Sequence, residues 1–214
     1  MASPKFFNPF AEILKHGEKL PHWQQPGATY FVTFRLADSI PQERLSEWRE
    51  ERELWLKRHP EPLNSTDEIE YHRRFSGRID KWLDEGAGEC VLRSQAVADC
   101  LGCSLSHFDG EKYLIHTFVI MPNHVHVLVS LREGESLESH VRSWKGVSAR
   151  HINQLLGRSG ALWQKDYFDR LIRGTDHFYR VARYIRTNPE KARLPEGSFV
   201  LKESDTVQRM LGES

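Results

Sequence analysis

Residues 118–130 read "FVIMPNHVHVLVS", and this stretch decides how the chain folds. "YLIHTFVI" (113–120) and "HVHVLVS" (124–130) are two β-rich runs separated by "MPN", the pattern of a hairpin. Side chains on a strand alternate faces, so His124, His126 and Leu128 share one face and Val125, Val127 and Val129 take the other. The valines can pack against a core. Two imidazoles at i and i+2 converge on one point, which is how a strand offers two nitrogen ligands to a metal ion.

Working outward, "ATYFVTFRLA" (28–37) reads as another strand, ending before Pro41. Residues 41–59 are charged, with Leu45, Trp48, Leu54 and Trp55 near helical spacing, and Pro60 and Pro62 end that segment. A second helix is expected from Ser65 or Thr66 to Gly86, and a third over about 94–107. Beyond the hairpin, "SLESHVRSWKGVSARHINQLL" (136–156) is a long amphipathic helix with Ser136 as its cap. "YFDRLIR" (167–173) can form a fourth strand, and "TDHFYRVARYIRTN" (175–188) a helix capped at Thr175 or Asp176 and stopped by Pro189. From Leu194 onward the pattern is weak, and a partly disordered tail is expected. The order β, helices, β, β, α, β, α points to an α+β fold: a ferredoxin-like (RRM-like) antiparallel sheet with helices on one face. A helical insertion at about 41–110 interrupts it. One domain over 1–195 with a C-terminal tail at 196–214 accounts for the chain.

Composition fits that picture. Apolar residues make up 39% of the 214, enough for a core, and no run approaches the roughly 20 apolar residues of a membrane span. The N-terminal stretch lacks a basic-then-apolar secretory pattern, so a cytoplasmic protein is expected, at the nucleoid when bound to DNA. Cys90, Cys100 and Cys103 do not make a disulfide framework, and the single Cys100-x-x-Cys103 pair has no second pair to complete a zinc site. They read as structural. Formal net charge is zero, yet residues 140–194 hold 12 Lys/Arg against 4 acidic residues. That local surplus is a plausible footprint for a phosphate backbone. Arg170, Arg173, Arg183 and Arg186 are candidates for its contacts.

A second motif, "RYIRTNP" (183–189), completes the chemistry. Tyr184 and Asn188 lie four apart on one helix, one turn from each other on the same face. A phenol and an amide oxygen there can meet an ion held by His124 and His126. Two imidazoles and an amide oxygen, with coordination positions left open, suit a divalent ion acting as a Lewis acid on phosphate. Mg²⁺ or Mn²⁺ fits that role, although imidazole also suits Zn²⁺. A free tyrosine titrates near about 10, so it needs help as a nucleophile. Attack on a DNA phosphate would leave a phosphotyrosine and a free 3′-hydroxyl. Tyr167 is the alternative nucleophile. His116, on the partner strand, is a candidate support for the pair, and Trp144 and Trp163 read as core in preference to base-stacking surfaces. A histidine-triad hydrolase would need a third imidazole at Leu128, so that reading fails.

"MPNHVHVLV" followed by "YIRTNP" resembles the single-tyrosine HUH endonucleases, the IS200/IS605-like transposases, and more closely their REP-associated tyrosine transposase branch. "GATYFVTFRL", "LWQKDYFDRLIR" and "YIRTNPEKARL" extend the resemblance over roughly residues 20–195. It implies His124 and His126 as paired metal ligands, Tyr184 as nucleophile, and Asn188 where many relatives carry a Gln as third ligand. It also implies single-stranded hairpin DNA as substrate, cut through a 5′-phosphotyrosine, by a monomer or a homodimer. The alternative is a domesticated hairpin-binding protein that cuts little or not at all.

Overall fold

The computed structural model describes residues 4–8, 10–11, 14–16, 22–59 and 65–212. Near the N-terminus β1 (Leu14–His16) and β2 (His22–Gln24) form a small antiparallel ribbon. The first long strand, β3 (Thr29–Arg35), comes next. It leads into α1 (Gln42–Arg58), α2 (Ser65–Tyr71), a π-turn over His72–Ser76, and α3 (Gly77–Asp84). The chain then runs through α4 (Gln95–Ser106), β4 (Tyr113–Ile120), β5 (His124–Leu131) and α5 (Leu137–Leu155). It ends with β6 (Phe168–Leu171), α6 (Thr175–Lys191), β7 (Val200–Glu203) and α7 (Asp205–Gly212). No helix among the described residues is long and apolar enough to cross a membrane.

The main sheet has the order β6-β3-β5-β4-β7, with every neighbouring pair antiparallel. Its first four members, β6-β3-β5-β4, have the strand order of a ferredoxin-like unit, as the sequence led us to expect. The two crossover helices of that unit are α4 and α5, and both cover one face. Tyr30, Val32 and Phe34 of β3 meet Val125, Val127 and Val129 of β5 there, under Leu101 and Leu105 of α4 and Val141 and Trp144 of α5. The three β5 valines are wholly buried, and burying such a side chain contributes about 1.5–3 kcal/mol. Ser136 caps α5 as anticipated, its hydroxyl accepting from the Ser139 amide at 3.4 Å.

The opposite face belongs to elements beyond the ferredoxin-like unit. Phe178, Val181 and Ile185 of α6, with Val207 and Leu211 of α7, pack over Val119 and Leu128. Three expectations change here. The helix starts from Gly174 in extended backbone, not from a Thr175 or Asp176 cap. It also runs through Pro189 to Lys191, because a proline two residues from the helix end removes a single bond, the one to the Ile185 carbonyl. The expected tail is ordered instead: β7 extends the sheet along β4, and α7 seals the core. A four-residue edge strand and a two-turn helix carry too little periodicity to stand out in the sequence.

Since α4 belongs to the fold as a crossover helix, the true extra element is α1–α3. It has its own core of Leu45, Trp48, Trp55, Phe75, Ile79 and Leu83. It leaves and rejoins the sheet at one point, where the Glu89 amide donates to Asp38 Oδ2 at 2.8 Å. Gly88 has φ +90°, and a Cβ there would lie 2.8 Å from Asp38, so no other residue closes this neck without strain.

Candidate active site

His124 and His126 point from β5 toward α6, on the face they share with Leu128. Both are essentially inaccessible to solvent, and their Nε2 atoms stand 3.1 Å apart. The cross-strand register aligns Thr33 of β3 with His126, and Thr33 Oγ1 lies 2.7 Å from His126 Nδ1. His124 Nδ1 lies 2.8 Å from Asn123 Oδ1. The Asn123 amide nitrogen donates to the carbonyls of Leu83 and Ala87, each at 3.2 Å. Asn123 Oδ1 therefore has to accept, His124 Nδ1 carries its proton, and His124 Nε2 presents a lone pair.

His126 has a choice that His124 lacks. The Thr33 hydroxyl can donate or accept. When it donates to Nδ1, the proton sits on His126 Nε2 and bridges to His124. When it accepts, both Nε2 lone pairs face the same point, which only a cation can stabilise. Burial holds His126 at about 3, and burial together with His126 pushes His124 well below its ordinary value. Both are neutral, as metal ligation requires.

Facing them, α6 brings Tyr184 and Asn188. The Tyr184 ring meets the His126 ring edge-on at 5.3 Å and Phe31 at 5.9 Å, so this tyrosine and the histidines of one chain meet. Asn188, one turn on, is 1% exposed. Tyr184 Oη and Asn188 Oδ1 are both buried without a hydrogen-bond partner. Such groups are costly unless something binds them. Among the described residues no cluster of three or more His, Cys, Asp or Glu could hold an ion. Two imidazoles plus a neutral oxygen is the donor set on offer, and metal–nitrogen bonds of about 2.0–2.1 Å let both histidines reach one ion.

The remaining sequence candidates divide. Tyr167 is buried in the core on the opposite face, away from the histidines. Trp144 and Trp163 are core residues whose indoles donate to Tyr113 Oη and Ser148 Oγ, each at 3.0 Å. His116 makes its hydrogen bond away from the His124–His126 pair. It sits at the β4 register shift and bonds Ser130 Oγ at 2.7 Å. Arg170 lies opposite Phe31 on the site face, with a guanidinium nitrogen 2.6 Å from His72 Nδ1. Arg173 covers Phe7, and Arg183 is exposed on α6. Arg186 is held by both oxygens of Glu203 at 2.9 Å, which leaves it poorly placed for DNA.

Sequence reasoning missed Asn123 and Thr33, which orient the two imidazoles. The register that pairs Thr33 with His126 could not be read from either strand alone. Asn123 does lie in the quoted hairpin turn, and its adjacency to His124 was the available signal. Replacing Asn123 with Ala should weaken metal affinity by about 10–100-fold, the usual cost of losing a group that orients a ligand. Titration calorimetry with Mn²⁺ measures this, and unchanged affinity would show that the carbonyl–Asn123–His124 relay does not matter.

Residues 95–188 match the model of the family described as "Transposase IS200 like". This segment runs from α4 to Asn188 and holds both histidines and Tyr184, so the resemblance read from the motifs is borne out there. Among solved structures, the chain is similar to a REP-associated tyrosine transposase bound to a REP hairpin. Identity is 18%, covering 82% of this chain and 74% of that one, with a TM-score of 0.45. It is also similar to a Deinococcus radiodurans R1 protein provisionally described as a transposase, at 14% identity, 86% and 97% coverage and a TM-score of 0.33. No curated protein matches the chain.

Proposed function

We propose that this protein is a metal-dependent, single-tyrosine DNA endonuclease and strand transferase acting on single-stranded hairpin DNA. The observation that carries the reading is the meeting, within one chain, of converging histidine Nε2 atoms with an unpartnered Tyr184 hydroxyl. His124, His126 and Asn188 would hold Mg²⁺ or Mn²⁺, which supplies Lewis-acid polarisation of the scissile phosphate. Thr33 and Asn123 keep the histidine nitrogens turned toward the site. Tyr184 Oη attacks phosphorus, the 3′ oxygen departs, and DNA stays attached through a 5′-phosphotyrosine. The ester conserves the bond energy, so a second 3′-hydroxyl can take Tyr184's place and rejoin the strand. The hairpin preference rests on the family resemblance of the motifs, and Arg170 and Arg183 are the basic residues best placed for phosphate.

A pure DNA-binding protein has no use for two buried imidazoles and an orphaned phenol on one face. The test is adduct formation on labelled single-stranded DNA, with and without a hairpin, in Mn²⁺, Mg²⁺ or a chelator. A covalent species on denaturing gels, dependent on both metal and hairpin, is the expected result. Tight hairpin binding with no adduct under any metal would replace this reading with the binding-protein one.

A further inference from the structure

The α1–α3 insertion has no counterpart in the ferredoxin-like unit, and its last helix ends at the candidate active site. Three ties hold it there. Leu83 and Ala87 accept from Asn123, His72 meets Arg170, and Trp48 packs edge-on against Phe168 of β6 at 5.9 Å. Together they deliver one side chain to the nucleophile: the Asp80 carboxyl reaches the Tyr184 hydroxyl. The pair falls short of full hydrogen-bond geometry and Tyr184 Oη has no other partner. Catalytic hydrogen bonds are often loose before substrate binds and tighten in the complex.

We propose that Asp80 is a catalytic residue of this site, the group that accepts the Tyr184 proton as the phenol attacks DNA. The inference rests on the reading of Tyr184 as nucleophile. In the step, a bond forms from Tyr184 Oη to phosphorus and the bond from phosphorus to the bridging 3′ oxygen breaks. The phenolic proton passes to the Asp80 carboxylate, and the 3′ oxygen leaves with its electron pair and takes a proton from solvent. In strand joining the protonated Asp80 returns its proton to Tyr184 as the phosphotyrosine bond breaks.

The surroundings explain why an acceptor is needed. A phenol ordinarily titrates at about 10. Phenolate is therefore scarce at neutral pH, and the proton must leave with the attack. Burial lifts the Asp80 carboxyl to about 6, closer to the working pH of a general base than an ordinary carboxylate. Asp84 on the same helix, Arg170 on β6, and Tyr184 and Lys191 on α6 are the groups that face it. Neutral His126 borders the phenol from β5. Lys191 Nζ sits 5.1 Å from the Tyr184 ring centre, where positive charge favours the developing phenolate.

The experiment is single-turnover adduct formation at saturating hairpin DNA and Mn²⁺, across pH 5 to 8, for wild type, Asp80→Asn, Asp80→Glu and Tyr184→Phe. Asp80→Asn is expected to slow the adduct by about 10²–10⁴-fold, the usual worth of general-base catalysis. DNA affinity should hold within about twofold, and Asp80→Glu should recover at least part of the rate. Wild type should lose rate below about pH 6 as Asp80 takes up its proton, and Asp80→Asn should lack that limb. An Asp80→Asn rate near wild type with the acid limb intact would overturn the proposal. So would equal losses of DNA binding in Asn and Glu variants, which would mark a structural role. No Tyr184-dependent adduct in wild type would be a separate failure, that of the nuclease reading itself.

Discussion

Tyr184→Phe should give a protein that folds, binds hairpin DNA and metal as wild type does, and forms no covalent adduct. We expect the adduct rate to fall by about 10⁴-fold or more, the scale on which removal of a covalent nucleophile acts. What sharpens the prediction is the stability that goes with it. The Tyr184 ring packs by its edge on His126 and Phe31 and lies under Lys191, and phenylalanine keeps all of these contacts. The hydroxyl alone is lost, and it is a buried group whose contact with Asp80 falls short of a full hydrogen bond. Its removal lifts the cost of an imperfectly satisfied buried group but also takes the contact from the Asp80 carboxyl, so the two effects oppose each other. The variant should therefore melt close to the wild-type temperature while losing its chemistry. An adduct that survives the change would mean another nucleophile. Tyr167 could not be that residue without refolding, because its side chain belongs to the core beneath α5, on the far face of the sheet.

The part of this site that was legible in the sequence is the part governed by local periodicity. Alternation over "HVHVLV" assigned the histidines to one face and the valines to the core, and the register of β5 with both neighbours agrees. The i, i+4 spacing of Tyr184 and Asn188 likewise set them on one side of α6. What escaped notice depends on contacts between distant segments. Thr33 reaches His126 across 93 positions of chain, and Asn123 reaches Leu83 across 40. Nothing in "RIDKWLDEG" distinguishes Asp80 from any other acidic residue on an amphipathic helix. Its meaning comes from where the neck at Asp38 and Gly88 aims α3. The ordering of the C-terminal segment was hidden for a similar reason: Val207 and Leu211 are buried only because α6 and β4 leave a groove for them.

His126→Ala should abolish both the metal response and the adduct, and the two losses can be separated from folding. With metal at about 100 times its Kd, binding to the folded state alone contributes about 2.7 kcal/mol. For a chain of this size that raises the melting temperature by about 5–10 °C. Wild type should show this rise on adding Mn²⁺ and lose it on chelation, while His126→Ala should melt at one temperature in both conditions. The comparison is made within each variant, so a lower baseline from the cavity left beside Thr33 does not confuse it. Asn188→Ala should reduce the rise without abolishing it, because an amide oxygen is the weaker donor and both imidazoles remain. If His126→Ala keeps the full rise, the ion binds elsewhere and the 3.1 Å histidine pair is a hydrogen-bonded core contact. The amphoteric Thr33 hydroxyl lets the two outcomes be told apart by spectroscopy as well. Metal binding must move the His126 proton from Nε2 to Nδ1, so ¹⁵N chemical shifts of His126 should exchange tautomer on metal addition while His124 keeps its own.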